Sequence, residues 1–239
     1  MNKKIWNSLV LFWLLTISFS ATSCIPHIHG NGKVVKEERN VSSFNEITVS
    51  TGIEVLINQD SSEKIVVETD ENIQKILKTE VHGGKLKIYL EEGIQHAKEL
   101  KVYVTVKQIN SLEANSGSEV KSGNKITSEN LKIRSSSGSE VKMEVSCNQL
   151  KVDSSSGSEL HVSGSSQFIE AESSSGSELD ASGLVAEKCV ASASSGSDLS
   201  VYATKEIKAN ASSGSEIDVL GNPSMRDTNS SSGGDVNFR

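Results

Sequence analysis

Small or apolar side chains alternate with polar ones through most of the C-terminal half of the chain. With Gly138 as position zero, the odd positions hold Leu131, Ile133, Ser135, Ser137, Ser139, Val141 and Met143. The even positions hold Lys132, Arg134, Ser136, Glu140 and Lys142. Around Gly157 the odd set is Leu150, Val152, Ser154, Ser156, Ser158, Leu160 and Val162. Alternation with period two predicts extended strands, with odd positions inward and even positions outward.

The pattern recurs. A Ser-Gly-Ser-Glu/Asp-aliphatic core is centred on Gly117, Gly138, Gly157, Gly176, Gly196 and Gly214, and returns in degraded form at Gly233. The glycines are separated by steps of 21, 19, 19, 20, 18 and 19 residues. A period near twenty is the signature of a solenoid. The predicted fold class is all-β, a single-stranded parallel β-helix with rungs of about 19 residues. Aliphatics at minus seven, minus five, plus three and plus five form its core. Serines at minus one and plus one are expected to stack as internal ladders that satisfy one another's hydroxyls. The glycine is expected to adopt a backbone conformation that a Cβ would hinder. A left-handed hexapeptide helix needs a six-residue sub-period that these steps do not keep. A calcium-binding nonapeptide roll needs a Gly-Gly-x-Gly-x-Asp repeat that the chain lacks. Seven rungs give a stack roughly 30 Å tall, with Phe238 expected to plug its last coil.

Upstream, Ile47, Val49, Thr51, Gly52, Ile53, Glu54 and Ile57 follow the same phase and read as an outlying rung. Between it and the array lies an insert, roughly 59–110. Alternation at 64–69, 85–90 and 100–106 predicts strands there, with a tight turn at Gly83-Gly84. Asp70 to Leu77 reads as a short helix with Asp70 as its N-cap. A solenoid must cover its open edge, so the insert is expected to form an N-terminal strand-rich cap. Residues 34–41 read as a further strand. The resulting partition is 1–23, 24–33, 34–110 (first rung and cap) and 111–239 (repeat array).

Composition adds an address. Lys3 and Lys4 precede an apolar run from Leu9 to Phe19, then Ala21-Thr22-Ser23-Cys24. This reads as a secretory signal peptide over residues 1–23. The small residues before the cysteine resemble a bacterial lipobox, which implies cleavage before Cys24 and its lipidation. Residues 24–33 then read as a tether, His27 and His29 included. Without the leader, which carries two lysines and no acid, 22 basic and 31 acidic side chains remain, a net charge of −9. An acidic chain without a basic cluster is not built for nucleic acid. Cys147 and Cys189 fall in different layers, about 9.6 Å apart at the closest count, beyond disulfide reach. They are expected to point inward as small apolar side chains.

Candidate chemistry centres on the acid at plus two: Glu119, Glu140, Glu159, Glu178, Asp198, Glu216 and Asp235. On a β-helix these form one outward column at about 4.8 Å spacing. Stacked carboxylates are expected to raise one another's pKa. Two neighbours could straddle a Ca²⁺ ion if backbone carbonyls, water and serines completed its shell. The plainer reading is an acidic edge that keeps one side soluble and discourages lateral pairing. Glu54 carries the motif to the outlying rung. Enzyme signals are weak. His161 is the one histidine inside the array, and no base stands beside the repeated serines. A polysaccharide-active enzyme on a β-helix would need clustered acids and aromatic sugar platforms, and the array holds only Phe168, Tyr202 and Phe238. Flat recognition of a glycan by the regular outward columns is a third reading.

The order of these motifs resembles a known family. The lipobox, Gly30 to Val35, Phe44 to Val55, the strand at 100–106 and the Ser-Gly-Ser-Glu/Asp units are together similar to the putative auto-transporter adhesin, head GIN domain family of Bacteroidetes, from about residue 33 to the C-terminus. The resemblance implies an exported β-helical protein, often a lipoprotein, and suggests adhesion. It transfers no catalytic residue. Right-handed coiling follows from it and from the usual crossover rule. The expected role is non-catalytic binding or structure at the cell envelope, with the chain lipid-anchored by Cys24, the outer membrane as the expected place, and an envelope glycan or protein as the expected partner.

Overall fold

A computed structural model describes residues 28–239. The leader at 1–23 and the lipidation site Cys24 lie outside the described residues. From Ser111 onward the chain is a parallel β-solenoid. β10 (Ser111–Ala114), β11 (Glu119–Ser122), β12 (Ile126–Ser136), β13 (Glu140–Ser155), β14 (Glu159–Ser174), β15 (Glu178–Ser194) and β16 (Asp198–Ser212) build the array. β17 (Glu216–Leu220), β18 (Met225–Ser231) and β19 (Asp235–Phe238) complete it. Each strand hydrogen-bonds in parallel to its counterpart one coil away, so Leu131 faces Leu150, Leu150 faces Ile169 and Cys189 faces Ile207. The aliphatics at the four expected positions are buried in these coils.

A 19-residue coil cannot keep strict alternation, because an odd period inverts the phase at every repeat. The chain corrects this at a corner. Asn148 and Gln149 both face outward, and the inward phase resumes at Leu150. The same corner falls at Glu129-Asn130 and at Glu187-Lys188. The 20-residue step before Gly196 needs one more correction. It takes it where Ser182 and Gly183 both turn outward, beside a register irregularity between Ala181 and Val185.

The other corner is the repeated Ser-Gly. Ser137 and Gly138 have φ of 55° and 69°, and the Ser139 amide donates to the Ser136 carbonyl at 3.3 Å. Two consecutive left-handed residues closed by such a bond make a type I′-like turn. The turns themselves stack: the Gly138 amide donates to the Ser156 carbonyl at 3.2 Å, and Gly157 to Ser175 at 3.2 Å. This corrects one expectation. Serines at minus one are exposed on the turn, and the inward serines are at minus three and plus one, namely Ser135 with Ser139 and Ser154 with Ser158. The glycine role is conformational, since a Cβ on Gly138 would meet nothing within 4 Å.

The N-terminal part closes the other end. β3 (Glu46–Val49) and β4 (Glu54–Gln59) form the Gly52 rung. This rung is not outlying; it pairs directly with β10 and β11. On its far side lie β7 (Lys85–Leu90) and β9 (Leu100–Val106), still parallel. Beyond them the pairing turns antiparallel. β5 (Lys64–Asp70) pairs with β9, β2 (Val34–Arg39) with β5, and β6 (Leu77–His82) with β7 across Gly83-Gly84. Of the expected tether, β1 (Ile28–His29) lies beside β8 (Ile94–His96).

The helix expected at 70–77 does not form. Its residues make a run of turns, with amides of Ile73 and Gln74 donating to the Asp70 carbonyl. Asp70 is the last residue of β5, and its side chain is committed elsewhere. The carboxylate accepts the Lys98 amide at 2.7 Å and the Gly32 amide. Burial pushes this carboxyl up, but backbone donors from Lys98, Gly32 and Glu99 outweigh it and hold it below its ordinary value. Asp70 therefore fastens residues 30–33 and the loop before β9 to the cap.

The last coil protects itself. At the inward positions of β18 the aliphatics give way to Arg226, Thr228 and Ser230, all exposed. The Arg226 guanidinium lies 4.2 Å from the centre of the Phe238 ring. Phe238 stands in register with the buried Val219 but remains 38% exposed, so the last coil is covered in part and by a ring that a cation shares with water.

Candidate functional surfaces

Register brings the seven predicted acids into one column. Glu119 faces Glu140, then Glu159, Glu178, Asp198, Glu216 and Asp235 follow in order. Glu54 heads the same column opposite Glu119. Each acid is placed by the turn before it, because the residue at plus one points inward and the next must point out.

The column is not electrostatically uniform. Lys101 bonds Glu54 at 2.6 Å, and Lys121 and Lys142 pair with Glu119 and Glu140. At the other end Glu216 accepts from Asn237 at 2.7 Å and lies 3.6 Å from Arg239. Glu159, Glu178 and Asp198 form no ion pair among the described residues and are exposed. The expectation that stacking raises these pKa values fails at Glu140. The Lys142 ammonium, hydrogen-bonded to it, outweighs burial and holds its carboxyl below the ordinary value. Among the described residues no group of three or more His, Cys, Asp or Glu side chains is placed to hold a metal ion.

A second feature escaped the repeat pattern. A groove of about 590 Å³ runs beside the Asn148-Gln149 corner. Leu131 and Leu150 form its floor, both almost fully buried. Asn130, Gln149 and the half-buried Phe168 stand in register on consecutive coils along it. Asn110 and Gln108 close one end. Lys132 and Lys151 are balanced by Glu129 and Glu170, with Lys151 bonding Glu170 at 2.6 Å. The signal for this groove was present as the paired outward residues of the phase correction. A reading anchored on the glycine stops short of them.

A neighbouring groove of about 570 Å³ follows the serines at minus two, from Ser136 to Ser212. Arg134 and Asp153 bridge across it at 2.8 Å. Cys147 and Cys189 are inward and free. Burial pushes the thiol of Cys147 up to about 11 and that of Cys189 up to about 12. His161 lies beside Asp180, 3.7 Å away, at the solvent surface of the array.

Residues 43–223 match the family described as putative auto-transporter adhesin, head GIN domain. Among solved structures, a putative adhesin from Bacteroides fragilis NCTC 9343 aligns with a TM-score of 0.84 at 21% identity, covering 89% of this chain and 100% of that one. A putative lipid binding protein from Parabacteroides distasonis ATCC 8503 aligns with a TM-score of 0.75 at 21% identity, covering 90% and 100%. A putative adhesin from the same strain gives 0.73 at 18% identity, covering 90% and 100%. At these identities the likeness is one of fold. No curated protein matches the chain.

Proposed function

Because the chain belongs to the putative auto-transporter adhesin, head GIN domain family, we propose that it is an exported, non-catalytic binding protein that presents the side of its solenoid to a partner. The observation that carries this reading is the rigid, register-locked surface. Seven acids and two grooves are fixed on a scaffold whose every coil is hydrogen-bonded to the next. Such a surface suits recognition, because its side chains need little ordering on binding.

The lipobox-like sequence before Cys24 supports anchoring to the cell envelope, and the outer membrane is the place this reading proposes. Acyl chains on Cys24 would hold the protein there. The test is expression of the full chain and of Cys24→Ser with labelled fatty acid. Label in the envelope fraction for the parent alone, together with saturable capture of an envelope or cell-surface component, is the expected result. A parent that takes no label is not anchored this way, and one that captures nothing is not a binding protein of this kind.

A further inference from the structure

We propose that the groove beside the Asn148-Gln149 corner is a binding site for an uncharged oligosaccharide. This rests on the binding role above and names its ligand class. Three observations converge on it. The groove presents a half-buried ring, Phe168, at its side, above the buried Leu131 and Leu150. A sugar ring offers a matching C–H face to such a surface, and concave sites of this kind combine apolar lining with a few placed polar groups.

The polar groups are of the right kind. Asn110, Asn130 and Gln149 are exposed carboxamides, each able to donate and accept at once. A sugar hydroxyl also does both, so the two groups match in pairs. Elsewhere in the chain the carboxamides of Gln59 and Gln74 are consumed by backbone groups. Asn130, Gln149 and Phe168 repeat at the coil spacing of about 4.8 Å. That step is close to the advance of one residue in an extended glycan.

Two alternatives fit less well. The four charged side chains of the groove cancel, two basic against two acidic, which gives an anionic polymer or nucleic acid no net attraction. A peptide added as a strand needs a free sheet edge. Here β12, β13 and β14 are already paired with neighbours along this stretch.

The test uses the full chain, less its leader, on an array of neutral and acidic oligosaccharides, with affinities of the hits then measured in solution. Phe168→Ala and the double variant Asn130→Ala/Gln149→Ala should each weaken binding of a neutral oligosaccharide by about tenfold or more. Glu159→Gln/Glu178→Gln, in the acid column, should leave it unchanged. Phe168→Tyr keeps the ring and should retain binding, which separates loss of the platform from loss of folding. Neutral binding indifferent to the groove variants would overturn the placement. Hits confined to acidic glycans would overturn the ligand class, and so would a protein ligand lost with the same variants. An array without hits would overturn the saccharide site, while the binding role itself would still stand or fall on capture of a cell-surface component by the parent chain.

Discussion

The Ser158 hydroxyl donates to the Ser135 carbonyl of the preceding coil at 2.8 Å. The same oxygen accepts the Ser155 amide at 3.1 Å and meets the Ser154 hydroxyl at 3.0 Å. One small side chain therefore closes its own turn and ties two coils together. Ser139 and Ser177 repeat the arrangement, reaching the Ala114 and Ser154 carbonyls at 2.9 Å each. Ser158→Ala would leave the part-buried Ser155 amide and the buried Ser135 carbonyl short of a partner. The expected loss is about 1–3 kcal/mol, read from denaturant unfolding. Ser156→Ala, on the exposed side of the turn, should cost less than half as much. Equal effects would contradict the assignment of inward and outward serines.

The glycines separate into two kinds. Gly157 has φ of 66° and open space around a would-be Cβ, so Gly157→Ala should cost about 1 kcal/mol from conformation alone. Gly164 has φ of 113°, and a Cβ there would lie 2.0 Å from the Val145 carbonyl oxygen. Gly164→Ala should cost about 3 kcal/mol or more, or prevent folding. Melting curves of the two variants check the order.

Asp70 predicts an acid-dependent loosening of the N-terminal cap. Its folded pKa is depressed, so its contribution is present above its unfolded value of about 3.9 and is lost as pH falls through the folded value. Asp70→Asn should lower stability at neutral pH and flatten the acid limb of the stability profile. A variant with the parent's profile would show that the carboxylate does not hold Gly32 and Lys98.

The two thiols should be silent in the native state. Cys147 and Cys189 are buried, and burial raises both. Alkylation at pH 8 should proceed only at the rate of unfolding and become fast in denaturant. Rapid native labelling of Cys147 or Cys189, located by peptide mapping, would place that cysteine at the surface.

The acid column should not act as a cation site. Lysines already pair with Glu54, Glu119 and Glu140, and Arg239 lies beside Glu216, so four of its acids have a cationic neighbour in place. Melting temperatures in millimolar calcium and in EDTA should coincide. A clear rise with calcium would restore the cation-stabilised scaffold.

The solenoid was legible because its period and its alternation agree. Leu131, Val152, Leu179 and Ile217 could be placed inward from sequence alone, and the acids fell into a column once the coils were stacked. The turn was not legible in the same way. Ser135 and Ser137 share residue type and parity, and only the left-handed backbone at Ser137 turns it outward. Asp70 misled for a related reason. Asp before Glu-Asn reads as a helix cap, yet its carboxylate serves amides 38 and 28 residues away. The groove lay hidden at Asn130 and Gln149, where alternation breaks and a period-two reading loses its phase.

The most direct test of the binding role is an equilibrium isotherm of the leader-free chain against intact cell envelopes and cell surfaces, with the captured component analysed afterwards. Saturable binding that leaves that component chemically unchanged is the predicted result. Absence of any saturable binding, or cleavage of the captured component by the chain, would contradict it.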